Sequence, residues 1–355
     1  MDVTRILLDI LIVLLAAKLA AEVADRIGIP AVVGEIVAGI IVGPSVLGLV
    51  HESDALLTLA EIGVILLLLE VGLEMDLGGL RSVGRASLTV ALVGVVVPLG
   101  LGAGAGALLG MTGKEAIFVG AALTATSVGI TARVLGDLRA LATVEARTVL
   151  GAAVADDVLG LVILTVVTRI VTGGSVSPLG ILGIVGVAVG FIVVATAVGL
   201  RLVPPAFALV RRHSRSTGTL VAVALAFTLA VSELAHLAQL APIVGAFVAG
   251  LVLSRSSSAD RVRSELAPVG HLFIPVFFLA IGIDVEIGQF AKPAVLGLAG
   301  ALLLVAVIGK LVSMYGLLGA PGDRLMVGIG MIPRGEVGLI FAAIGLREGV
   351  FGQDV

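Results

Sequence analysis

Apolar runs of about 20 residues follow one another along almost the whole 355-residue chain. A helix of about 20 apolar residues crosses the ~30 Å hydrocarbon layer of a bilayer. Inside that layer every backbone polar group must bond within the chain, so only helices and closed barrels can span it. Barrel strands would read as alternating segments of about 10 residues, and the runs here are far longer. The expected fold is therefore all-α and polytopic. Its twelve segments lie at approximately 3–24, 30–50, 55–74, 86–110, 116–136, 147–170, 179–203, 217–237, 240–254, 268–285, 294–318 and 324–346. Composition points the same way. Charged residues make up 13% of the chain, against about 25% in soluble domains, too little to coat a water-facing enzyme.

Several functions are excluded by what the sequence lacks. There is no cysteine, and His51, His213, His236 and His271 are scattered without ligand spacing, so no resident metal or other cofactor is expected. No GxxxxGK[ST] loop is present to bind ATP. A net charge of −3 gives no reason to expect nucleic acid as a partner. Gly100-Leu-Gly-Ala-Gly-Ala-Gly106 resembles a nucleotide loop, but no strand precedes it. Gly102, Gly106 and Gly110 repeat every four residues and read as a face for close helix packing. With the N-terminus outside, inner loops and helix ends carry fourteen Lys and Arg, against five on the outer side. Cytoplasmic loops carry the excess of Lys and Arg, so the chain is expected to be multi-pass with its N-terminus outside.

Asp156 and Asp157 sit together inside the apolar run Val149–Leu164. A charge at the centre of a spanning helix costs about 2.5–3.5 kcal/mol on insertion scales, and such residues mark ion paths or proton relays. Lys310 is comparably deep in the run Ala301–Val312, where its alternative is to snorkel to the interface. An Asp–Lys pair would neutralise one acid and leave the other for cargo. Neighbouring helix positions point about 100° apart, so the two acids cannot face one partner, which argues against an intramembrane aspartyl protease.

Two polar interruptions lie near the same depth, Thr124-Ala-Thr126-Ser127 in the fifth segment and Pro333-Arg334-Gly335-Glu336 in the twelfth. Interrupted segments at corresponding places of two halves point to a transporter's binding site. Thr126 and Ser127 offer neutral oxygens to a partly dehydrated cation. Arg334 and Glu336 can offset the dipoles of the half-helices, with an internal salt bridge as the alternative. Pairing the first segment with the eighth and the fifth with the twelfth makes an inverted repeat that calls for a thirteenth helix, expected to be missing from this chain. Glu35 and Glu70 read as hydrogen-bonded structural residues, with access to a vestibule as the alternative.

Further motifs carry a family likeness: Gly34-Glu35 through Gly43-Pro44, Ala125–Arg133, Gly151–Gly160, Ala241–Phe247 and Pro333–Leu339. Together they resemble the monovalent cation:proton antiporter 2 family, and within it the NapA-type bacterial sodium/proton antiporters. The resemblance implies two discontinuous crossing helices and a homodimer in the bacterial inner (cytoplasmic) membrane, in contact with lipid. It implies scaffold and dimerisation helices in 1–75 and 216–286, core helices in 86–172 and 294–355, and a linker helix at 178–203. The core would move elevator-fashion. The resemblance also gives Asp157 the cation or a proton in turn, pairs Asp156 with Lys310, and makes the exchange electrogenic. Competition at Asp157 would couple the fluxes, with Thr126, Ser127 and water completing the cation's shell.

The expected function is sodium/proton antiport, serving pH homeostasis, and not an enzymatic reaction. Potassium/proton exchange is the alternative, because the same oxygens suit either ion. An organic-anion symporter would not need two adjacent buried acids and an opposing lysine. A channel would not need a counter-ion.

Overall fold

The computed structural model describes residues 3–51, 53–74, 77–171, 178–213, 218–238, 240, 242–288, 292–334, 338, 341, 345 and 350. Thirteen α-helices are found among them: α1 (Val3–Arg26), α2 (Ala31–Val42), α3 (Asp54–Glu74), α4 (Leu77–Leu108), α5 (Gly113–Ala122), α6 (Val128–Asp137), α7 (Val144–Val171), α8 (Pro178–His213), α9 (Thr219–Leu237), α10 (Pro242–Leu253), α11 (Ala259–Ile283), α12 (Pro293–Leu311) and α13 (Arg324–Gly330). A 3₁₀ turn, Val312–Leu317, continues α12. The described residues contain no strand, and six of their helices are long and apolar enough to cross a membrane. Thirteen helices answer to the twelve expected segments because the fifth is divided into α5 and α6.

Several boundaries differ from expectation for identifiable reasons. The second segment was expected to reach residue 50, but α2 stops at Val42. Pro44 has no N–H to continue the ladder, and the chain folds back with Leu47 N–H and Leu49 N–H donating to Ile41 O and Val42 O. Conversely, α8 runs ten residues past the expected end at 203, through Pro204 and Pro205. Membrane helices tolerate such prolines where neighbours re-satisfy the freed carbonyls. Helix α11 starts at Ala259, nine residues before the expected 268, and carries Pro268 inside it.

The helices pack in two sets. In one, α1, α2, α3, α9, α10 and α11 lie against each other, and α8 leans on α10. Helix α10 is its centre, with every residue from Ile243 to Leu253 buried. Glycines let backbones meet there: a Cβ at Gly39 of α2 would run into Leu279 O of α11, and one at Gly72 of α3 into Phe247 O of α10. The other set gathers on α4, which touches α5, α7, α12 and the 3₁₀ turn. Its contacts are also close. Gly102 and Gly106 meet Gly120 and Ala116 of α5, Gly309 sits on Pro98, and Gly316 sits on Val90. Gly110, expected on the same face, instead turns the chain with φ of +86°. Helix α6 touches α2 and α3 on one side and α7 on the other, so it lies between the sets.

Large apolar side chains point outward along several helices, including Leu11, Leu15 and Leu19 of α1 and Leu182, Val193, Val194 and Leu202 of α8. Such faces suit hydrocarbon as the surrounding solvent, and the chain is a multi-span membrane protein.

Overpacking a tight site costs about 1–3 kcal/mol. Gly39→Val should therefore lower the midpoint of thermal unfolding in detergent by several degrees. Gly104→Val, where a Cβ meets nothing within 4 Å, should leave it within a degree.

Candidate functional site

The two interruptions touch. Helix α5 starts from a capping box, with Thr112 and Glu115 exchanging hydrogen bonds, and ends at Ala122. Helix α6 resumes at Val128, where the Ser127 hydroxyl accepts from Ile130 N–H as its N-cap. On the other side α13 ends at Gly330. Helix ends leave carbonyls without intrahelical partners, and hydrocarbon offers none. The segment around the first interruption supplies them. Ser127 N–H donates to Pro333 O at 2.9 Å, Thr126 Oγ1 to Met331 O at 3.4 Å, and Thr131 Oγ1 to Gly330 O at 3.2 Å. In return Arg334 donates to Ala125 O at 3.0 Å and to Ala306 O of α12 at 3.3 Å. Arg334 thus meets backbone carbonyls of both neighbours. Glu336 lies outside the described residues.

Beside this junction Lys310 Nζ stands 3.0 Å from Asp156 Oδ2, with both side chains buried. The lysine is in the last turn of α12, and α4 makes room for it at Gly94, where a Cβ would lie 3.6 Å from the ammonium. Thr126 and Arg334 also stand near Asp156. Its Oδ1 accepts no hydrogen bond. At the next position of α7, Asp157 points about 100° away and is only half-buried, so the two acids have different surroundings. Asp156, Lys310, Thr126, Ser127 and Arg334 are brought together around the two interruptions, and Asp157 adjoins them.

Two features were missed or misread in the sequence. Thr131 closes the junction, and its only signal was its place one turn beyond Ser127. Glu35, expected to be hydrogen-bonded, has no hydrogen bond to either carboxylate oxygen. Instead it faces Arg133 of α6 at 3.9 Å. Glu70 lines a cavity of about 490 Å³ between α3 and α6, together with Arg133, Asp137, Arg139 and Arg263.

A helical membrane fold with charged side chains buried at an unwound junction defines an ion transporter, and the comparisons identify its kind. The family described as "Sodium/hydrogen exchanger, transmembrane" matches residues 10–355. The chain belongs to that family. It is 36% identical to the high-affinity Na⁺/H⁺ antiporter NhaS3 of Synechocystis, over 97% of this chain and 83% of the relative. It is 35% identical to the Na⁺/H⁺-K⁺ antiporter GerN of Bacillus cereus, over 98% and 89%. Both relatives are transporters and not enzymes, as is this chain. Among solved structures, the sodium proton antiporter MjNhaP1 of Methanocaldococcus jannaschii shares the fold, with a TM-score of 0.68 and 18% identity over 99% of this chain and 88% of that one.

Removing one partner of a buried ion pair costs about 3–5 kcal/mol, because the other charge is left uncompensated. Lys310→Met should therefore destabilise the protein strongly in detergent unfolding. Lys310→Met with Asp156→Asn should recover a large part of that loss, and additive losses would contradict the pairing.

Proposed function

We propose that the protein exchanges sodium for protons across the cytoplasmic membrane by elevator-type alternating access. The observation that carries this reading is the buried Lys310–Asp156 pair beside two touching helix interruptions, in a member of the sodium/hydrogen exchanger family. Asp157 is the exchange site. Ionised, it holds the cation with help from Thr126, Ser127 and water. Protonated, it releases the cation. Either loaded form hides the charge enough for the core to cross the hydrocarbon, whereas an empty, charged core crosses slowly, and this difference couples the two fluxes.

Asp156 and Lys310 have a different task. Lys310 neutralises Asp156 while it holds its proton, gives that proton up when cation binding loosens the pair, and takes one again when the cation leaves. Two protons then move for one sodium and the exchange is electrogenic. Helices α5 and α6 act as one crossing discontinuous helix, and α13 begins the other, related by an inverted repeat. The packing of the helices in two sets supports a division into a mobile core around α4 and a scaffold around α10, with α8 linking them. The protein works as a homodimer with its N-terminus outside, in the service of pH homeostasis.

Potassium is the second cargo to weigh, since GerN is by name a Na⁺/H⁺-K⁺ antiporter. Reconstituted protein should show sodium-driven proton flux. A flux driven as well by potassium as by sodium would favour the second reading.

Asp157→Asn should abolish cation-dependent proton movement in proteoliposomes, and persistent exchange would refute the site. Lys310→Gln should convert any remaining exchange to an electroneutral one. Unchanged charge movement would contradict the proton role of the lysine.

A further inference from the structure

Glu35 is fully buried on α2, and neither of its carboxylate oxygens accepts a hydrogen bond. Its nearest described counter-charge is Arg133 Nη2 of α6 at 3.9 Å. The other charges that reach it lie further off: Lys18 and Asp25 on α1, both exposed, and Asp137 on α6. The two partners belong to differently anchored helices. One turn beyond Glu35, Gly39 locks α2 against α11 at backbone contact, so Glu35 is fixed in the set around α10. Arg133 is on α6, which runs from the junction that holds the ion site.

The pair is asymmetric. Arg133 also lies 3.4 Å from Asp137, four residues on along its own helix, and it lines the cavity of about 490 Å³ beside α3. If α6 shifts along α2, Asp137 travels with Arg133, and the cavity can hydrate the guanidinium. Glu35 keeps neither its partner nor any water. A buried charge stripped of its partner is strongly disfavoured, so the contact favours one relative position of the two bodies.

We infer that Glu35 and Arg133 form a tether between scaffold and core, which biases the core towards the orientation described and must be broken in each transport cycle. They are positioning residues and do not touch cargo. The inference rests on the two-body reading given under Proposed function, and its test reads position without transport.

The chain has no cysteine, so Leu67→Cys and Gly129→Cys can be introduced across α3 and α6. A Cβ at Gly129 lies 3.5 Å from Leu67 Cδ2 in this orientation. The rate of oxidative cross-linking, read by mass spectrometry on the full chain in proteoliposomes, then reports how often the bodies occupy it. Glu35→Gln and Arg133→Gln should each slow cross-linking at least threefold. Arg133→Lys should stay within twofold of the parent, and the Glu35→Gln/Arg133→Gln pair should be no slower than the slower single variant. Rates for Glu35→Gln equal to the parent, or slowing that multiplies in the double variant, would overturn the tether. Should Arg133→Gln fail to yield monodisperse protein, the near-isosteric Glu35→Gln decides alone. Sodium-driven proton flux is measured on the same vesicles. Its absence in the parent would sink the exchange reading, while the contrast in cross-linking still judges the tether.

Discussion

A carbonyl released from a helix inside hydrocarbon has no water to turn to, and the whole centre of this protein is organised by that fact. The break between α5 and α6 lies against the segment that follows α13, and each supplies what the other lacks. Side-chain hydroxyls and a backbone N–H from residues 126–131 meet carbonyls of residues 330–333, and Arg334 returns the favour at Ala125. The same dry surroundings force Lys310 and Asp156 together. In water such a pair would be weak, but here each charge depends on the other. The junction therefore supports a cluster of buried polar groups that would be costly one at a time.

Much of this was legible in the sequence because hydrocarbon imposes length and polarity so strictly. Runs of about 20 apolar residues marked the helices, and Asp156, Asp157 and Lys310 stood out as charges with no reason to be there unless used. The interruptions were legible for a similar reason, since Thr124–Ser127 and Pro333–Arg334 are polar or helix-breaking residues within apolar runs. The ends of helices were less so. Gly43-Pro44 stopped α2 early, while Pro204-Pro205 did not stop α8, because a proline's effect depends on whether neighbouring helices can satisfy the carbonyl it frees. That is a tertiary property.

Pairings across the fold were the least legible. Nothing in the spacing says that Thr131 reaches Gly330 or that Glu35 meets Arg133, since each contact joins segments about 100 or more residues apart. Glu35 seemed an ordinary hydrogen-bonded residue because buried glutamates usually are. Its real surroundings, with a guanidinium just beyond hydrogen-bond reach, follow from where α2 is pinned against α11, a packing fact with no local signature.

The helices around α4 share a single mast. Glycines bring α5, α12 and the 3₁₀ turn close against it, at Gly102, Pro98 and Val90. The helix that carries Lys310 and the α5 side of the junction are thereby fastened to one shaft, leaving little slack between them. The outward-facing leucines and valines bear no such duty. Evolution is then free to recoat the molecule for bilayers of different thickness or fluidity, while a single methyl group added along the inner seam would jam the machinery.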